Sequence, residues 1–195
     1  VSTPHLFAQD PAPAAVPAAG PAPRVIGLDL SLTSTGVCLP DGTTYRIKTR
    51  ATDGDLRLTV IRDRIRDAVL ETRPQLAVVE DLPMTANSAG ITGMVHGVVR
   101  EVLAVAGVPR ALIVPATLKV YATGHGRADK DRMAAAAYAE AGVQFPADPG
   151  GDQCDAWWLR AAGLDWWGTP EFVLPDAQRV RLGKGKWPAR ELVTR

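Results

Sequence analysis

Four acidic residues stand where carboxylates can do chemistry. Asp29 and Glu80 each close a short apolar run, Val25-Ile26-Gly27-Leu28-Asp29 and Leu76-Ala77-Val78-Val79-Glu80. Asp152 and Asp155 lie three apart where a helical stretch begins. Apolar runs of this length fit central strands buried on both faces. As sheet neighbours, about 4.8 Å apart, they would set their terminal acids side by side at the rim where open α/β sheets bind ligands. Asp152 and Asp155 share one face of their helix, whose N-terminal dipole favours carboxylates. Docking that helix against the rim gathers all four acids in one place.

Carboxylates packed so closely repel one another and resist burial without a counter-charge. A divalent cation supplies it, and an all-oxygen donor set suits Mg²⁺ or Mn²⁺. Two such ions about 4 Å apart activate a water and stabilise the leaving oxygen of a phosphodiester. Singly, each acid has a plainer reading. Asp29 and Glu80 read as caps of the next turn, Asp152 as the N-cap after Gly150-Gly151, and Asp155 as a dipole partner. Only the combination points to chemistry. Asp81 follows Glu80, but the strand pleat sends it to the opposite face.

The elements that position these acids can be read from period and punctuation. Runs 25–29, 35–39, 44–48, 76–80 and 111–114 read as strands, the second and third joined by a turn at Pro40-Asp41-Gly42. Leu58, Ile61, Ile65 and Val69 line one face of a helix that Pro74 terminates. Further helices are expected at 88–106, near 116–122 and 128–141, and from Asp152 onward. The order βββαβαβααα predicts an α/β fold with an antiparallel start followed by βαβ crossovers.

Composition bounds the rest. The 195 residues, 46% hydrophobic and 22% charged, suit one domain with tails. Seven Ala and six Pro among residues 1–23 predict a disordered tail without the pattern of a signal peptide. Residues 166–195 read as a basic C-terminal tail. From Asp176 onward the chain carries net +4, against −3 for the remainder, within a total of +1. A polyanionic partner fits that asymmetry, as does simple solvation. No apolar run approaches the ~20 residues that cross a bilayer, so no membrane span is expected. Cys38 and Cys154 read as buried thiols of a reducing cytoplasm. Trp157, Trp158, Trp166 and Trp167 read as core and interface filler, and His96 as a packing residue.

Five blocks in order give a resemblance. Ile26-Gly27-Leu28-Asp29-Leu30-Ser31-Leu32-Thr33-Ser34-Thr35-Gly36, Ala77-Val78-Val79-Glu80 and Val114-Pro115-Ala116-Thr117-Leu118-Lys119 lead. Thr123-Gly124-His125-Gly126-Arg127-Ala128-Asp129-Lys130 and Asp152-Gln153-Cys154-Asp155-Ala156 complete the set. Over residues 24–165 the chain resembles the RuvC family of Holliday junction resolvases, within the RNase H-like superfamily. The resemblance implies an RNase H-like five-stranded mixed sheet flanked by helices and a homodimer. It implies Mg²⁺-dependent cleavage of paired strands at a four-way DNA junction, without a nucleotide cofactor. It carries Asp29, Glu80, Asp152 and Asp155 over as catalytic metal ligands, and Lys119 and Lys130 as contacts to the DNA backbone or scissile phosphate.

Chemistry supports the loop at 123–127, which can bring backbone N–H groups and Arg127 to a phosphate, with His125 placed to touch DNA or assist protonation. Solvated loop charge is the plainer reading. The chain departs from the family pattern in two places. Leu30-Ser31 stand where family members commonly carry Pro-Gly. Pro83, followed by Met84, stands where many carry a base-unstacking aromatic, and Met84 is the candidate apolar wedge. Gly90, Gly93 and Gly97 form a flat strip that suits either a partner helix or the protein's own sheet. Rival functions are a fork or flap nuclease of the same fold, a non-catalytic junction-binding module, and an actin-like ATPase-related domain. The first phosphate loop of the last resembles residues 29–36, yet that class needs a second domain for which 195 residues leave no room.

Overall fold

Alternation along the strands sorts the chain into three layers. The computed structural model describes residues 21–82 and 89–194. The Ala/Pro-rich stretch up to residue 20, Pro83, the wedge candidate Met84, and Ser88 lie outside the described residues. Strands β1 (Val25–Asp29), β2 (Ser34–Cys38), β3 (Thr44–Lys48), β4 (Leu76–Glu80) and β5 (Arg110–Ile113) form one sheet in the order β3-β2-β1-β4-β5. The pairs β1–β2 and β2–β3 are antiparallel, whereas β1–β4 and β4–β5 are parallel. Helices α1 (Leu56–Thr72) and α2 (Ala89–Val105) make the two crossovers between parallel strands. Helices α3 (Pro115–Thr123), α4 (Lys130–Ala141) and α5 (Asp152–Trp167) follow β5, and a short α6 (Asp176–Arg179) comes last.

Period two decides which residue meets which layer. Ile26, Leu28, Ala77 and Val79 pack with Ile61, Ile65, Val95 and Val99 of α1 and α2. Val25, Leu76, Val78, Ala111 and Ile113 pack instead with α3, α4 and α5. Helix α5 is buried along most of its length, and its small residues let it lie on the sheet. Side chains added at Gly27 or Gly36 would overlap the carbonyl oxygens of Ala156 or Asp152, and one at Gly163 would fall 2.7 Å from Val25 and Val78. These contacts run α5 antiparallel to β1, with its N-terminus over the C-terminal rim of the sheet. Trp157 and Trp158, edge to face at 4.9 Å, fill the space beneath as core.

Helix boundaries shift by a residue or two from the sequence expectation for identifiable reasons. Asp129 caps α4 by accepting from the Arg132 backbone N–H at 2.9 Å, so the helix begins at Lys130 rather than at 128. Asp152 is not the N-cap of α5. That position belongs to Gly151 in a left-handed conformation (φ 73°), and Asp152 is the first helical residue.

Residues 166–194 depart from the tail expected. The first two finish α5, and beyond them Leu174, Leu182 and Val193 are buried in the main core. Trp187 stacks on Trp166 with ring centroids 4.7 Å apart, and the Arg190 guanidinium lies 5.0 Å from the Trp166 ring centre. The Lys186 backbone pairs with Leu112 through bonds of 2.9 and 3.0 Å, covering the outer edge of β5. Basic residues outnumber acidic ones in this stretch, but the apolar residues spaced among them dock it.

Candidate active site

The register of the parallel strands aligns the two rim acids. Leu28 of β1 pairs with Val79 of β4, so Asp29 and Glu80 are the next residues of adjacent strands. Both share the parity of Val25, Gly27, Leu76 and Val78, which places them on the α5 face. Asp81 takes the other parity. Its carboxylate accepts a 2.7 Å bond from Lys186 Nζ, and its charge reaches His96 on α2.

The acids form one electrostatic cluster. Burial, then Glu80, Asp155, Asp152 and Asp148, push the Asp29 carboxyl well above the usual carboxylate range. Burial and Asp155 raise Glu80 to about 8, against the opposing pull of Lys119. Burial raises Asp155 to about 6, with Lys119 and Lys130 pulling down against Asp152 and Asp148. Lys119 and Lys130 therefore stand close to the acids. They line a cleft of about 550 Å³ with Asp155, Met133 and Pro149, and the Lys130 stem lies against Gly151. His125 and Arg127 sit exposed on the loop between α3 and α4, outside the lining of that cleft.

Three residues at this rim escaped the sequence reading. Asp148 is the group that caps α5: its Oδ2 accepts from the backbone N–H groups of Gln153 and Cys154 at 3.0 and 3.2 Å. Its Oδ1 is buried without a hydrogen bond and faces Arg46 Nε at 3.6 Å. Arg46 also reaches the Ala147 carbonyl at 2.5 Å and Asp152 Oδ2 at 3.9 Å. Ser34 donates to the same Asp152 oxygen at 2.5 Å. The alternation of Tyr45, Arg46 and Ile47, with apolar neighbours on the opposite face, was a signal that Arg46 points toward the α5 side. The turn after β1 closes despite lacking Pro-Gly. Thr35 donates to the Ser31 carbonyl at 2.6 Å, while Leu30 and Leu32 are buried.

The donor set suits a hard divalent cation, since Asp29, Glu80 and Asp155 offer oxygen only and Lys119 and Lys130 offset their burial and mutual repulsion only in part. As the side chains stand, no group of three or more described His, Cys, Asp and Glu residues is posed around one ion. Asp152 is turned to Ser34 and Arg46 instead. A stability test follows from the raised pKa values. The folded protein retains protons that the unfolded chain has released, so these acids contribute stability at low pH that is lost as pH rises through about 6 and about 8. Without metal, the melting temperature is expected to fall by several degrees between about pH 5 and about pH 9. Glu80→Gln should flatten the upper part of that fall. A slope unchanged in Glu80→Gln would show that Glu80 is not buried among like charges.

A mixed sheet with β1 and β4 ending in paired acids, crossed at its rim by an acid-bearing helix, defines the RNase H-like class of fold. No protein-family model matches the chain. The crossover junction endodeoxyribonuclease RuvC of Salinispora arenicola is 30% identical over 175 residues, spanning 84% of this chain and 99% of that protein. The protein of the same name from Streptomyces avermitilis is 29% identical over 175 residues, spanning 84% and 98%. The structure of Thermus thermophilus RuvC superposes with a TM-score of 0.61 at 24% identity, covering 76% of this chain and 99% of that one. T. thermophilus RuvC in complex with Holliday junction substrate gives 0.63 at 23% identity, covering 77% and 99%. The chain belongs to the RuvC family.

Proposed function

We propose that the protein is a divalent-metal-dependent endodeoxyribonuclease that resolves four-way DNA junctions. The observation that carries this reading is the cluster of Asp29, Glu80 and Asp155 at one sheet rim, each acid raised in pKa by burial and by its neighbours. A protein that only bound DNA would gain nothing from negative charge facing phosphates. Family membership and the names of the curated relatives support the substrate class.

Asp29, Glu80 and Asp155 would hold the ions, with Asp152 completing the set on release from Ser34 and Arg46. Bound Mg²⁺ or Mn²⁺ supplies a water activated for attack and charge to stabilise the leaving oxygen. The chain's own residues do the rest. Adjacent strands fix the two rim acids at one spacing, and Asp148 anchors the helix that presents Asp155. Lys119 and Lys130 bring positive charge to the cleft where a scissile phosphate would approach, and Arg127 extends that charge along the loop, with His125 beside it to touch DNA.

A junction presents two symmetric strands, so a homodimer would apply two such sites to one substrate. The outward strip of α2 is available for that pairing: side chains built at Gly90, Gly93 and Gly97 meet nothing within 4 Å among the described residues. Ile91 and Met94 are half exposed beside the strip. The strip therefore does not pack on the protein's own sheet.

The direct test compares a four-way junction with fork, flap and linear duplex in Mg²⁺, repeated with EDTA. Selective, chelator-sensitive cutting of the junction is expected. Equal cutting of forks and flaps would make the protein a general branched-DNA nuclease, and no cutting of any substrate would remove the enzymatic reading. Lys119→Ala and Lys130→Ala should each weaken junction binding or cleavage and reduce the salt dependence of binding by about one phosphate contact. Unchanged salt titrations in both would take these lysines out of the site.

A further inference from the structure

We propose that the segment following α6 is a second track for the DNA backbone, in which Arg181 and Lys184 grip a duplex arm beyond the cleft. The proposal rests on the reading of the protein as a junction nuclease and adds a surface to it.

The segment is pinned along the flank of α3. At one end the Gln178 side chain donates to the Tyr121 carbonyl at 2.9 Å, near the C-terminal end of α3. At the other end Lys186 pairs with Leu112, just before α3 begins, and its ammonium reaches Asp81 beside the catalytic rim at 2.7 Å. Between them Arg179 makes a forked ion pair with the buried Asp165, with its closest contact at 2.6 Å, and Leu182 is buried in the core. Residues 179–186 therefore run antiparallel to the helix that carries Lys119, from the cationic 123–127 loop back to the rim.

Two cations on this pinned backbone are left over. Arg179 and Lys186 are spent on Asp165 and Asp81. Arg181 and Lys184 are exposed, and among the described residues neither side chain makes an ion pair or a hydrogen bond. Both lie in a 3-10 turn over Val180–Lys184. Residues three apart in such a turn eclipse one another, so the two side chains leave the surface on the same side, about 6 Å apart along the axis. With Leu182 turned inward between them, they form a mounted pair of positive charges without an acidic partner among the described residues. A polyanion with charges repeated along a line is the ligand such a pair fits, and Lys119 and Lys130 at the cleft and Arg127 on the loop are cations of the same sign near it in the fold. Interspersed acids, the usual companion of solvated lysines and arginines, are missing from 177–190.

The test is the Arg181→Gln/Lys184→Gln double variant of the full chain. Binding to a labelled four-way junction is followed by fluorescence anisotropy in EDTA across a salt series, and single-turnover cleavage is followed in Mg²⁺ at saturating protein. Affinity near 0.1 M salt is expected to fall on the order of tenfold, with the salt slope shallower by about two. The saturated cleavage rate should stay as it was, and Arg181→Lys/Lys184→Arg should restore binding. An affinity and salt slope equal to those of the unsubstituted protein would overturn the track while leaving the nuclease reading intact. An unsubstituted protein that binds junctions but cuts none would sink the nuclease reading separately, because binding is scored without metal.

Discussion

Asp29→Asn and Glu80→Gln are each expected to lower junction cleavage at least about 10³-fold while leaving junction affinity in EDTA unchanged or slightly improved. Both substitutions keep the shape of the side chain and remove only the charge. In the folded protein these two carboxyls are next to each other on β1 and β4, and Asp155 reaches both from α5. On the proposed reading, losing either would leave too little negative charge to hold a divalent cation, and the water it would activate would not be supplied. Binding behaves oppositely, because a neutral amide repels the phosphates less than the carboxylate it replaces. The amide variants should also melt higher than the parent in metal-free buffer above about pH 8, where the parent must ionise buried acids. Cleavage retained within a few fold in both variants, or binding lost with cutting preserved, would contradict the assignment.

Gly27→Ala and Gly36→Ala are expected to be the most destabilising small substitutions in the chain, each by about 3 kcal/mol. A methyl at Gly27 would overlap the Ala156 carbonyl oxygen and approach the Arg160 backbone nitrogen within 2.8 Å. At Gly36 it would overlap the Asp152 carbonyl. In both cases the obstacle is helix backbone, which cannot rotate away as a side chain would, so α5 as a whole must lift. The consequence reaches the site, because α5 brings Asp152 and Asp155 to the rim. Chemical denaturation should show a lowered midpoint with little change in slope. Cleavage measured under conditions where the variants remain folded should also fall. A midpoint within experimental scatter of the parent would mean that the helix does not lie so close to the sheet.

Much of the site was legible because the rules that expose it are local. Unbroken apolar runs in 25–29 and 76–80 marked buried strands, and the pleat told Glu80 from Asp81. The spacing of Asp152 and Asp155 put them on one helical face. Other features joined residues remote in the chain. The bond from Ser34 to Asp152 spans 118 positions, and the one from Lys186 to Asp81 spans 105. Asp148 sat in a stretch of prolines and glycines that read only as a breaker, and its role as the cap of α5 depends on how that loop folds back.

The sequence by itself determined the strands, the faces they present and the acids at their ends, since side-chain period and apolar run length are properties of neighbouring residues. Only the tertiary structure decided that Arg46 and Ser34 hold Asp152, and that the basic C-terminal stretch is docked on the body. Each of those outcomes is a competition among long-range partners for the same carboxylate, edge or apolar surface, and it is settled by burial and geometry once the layers have closed.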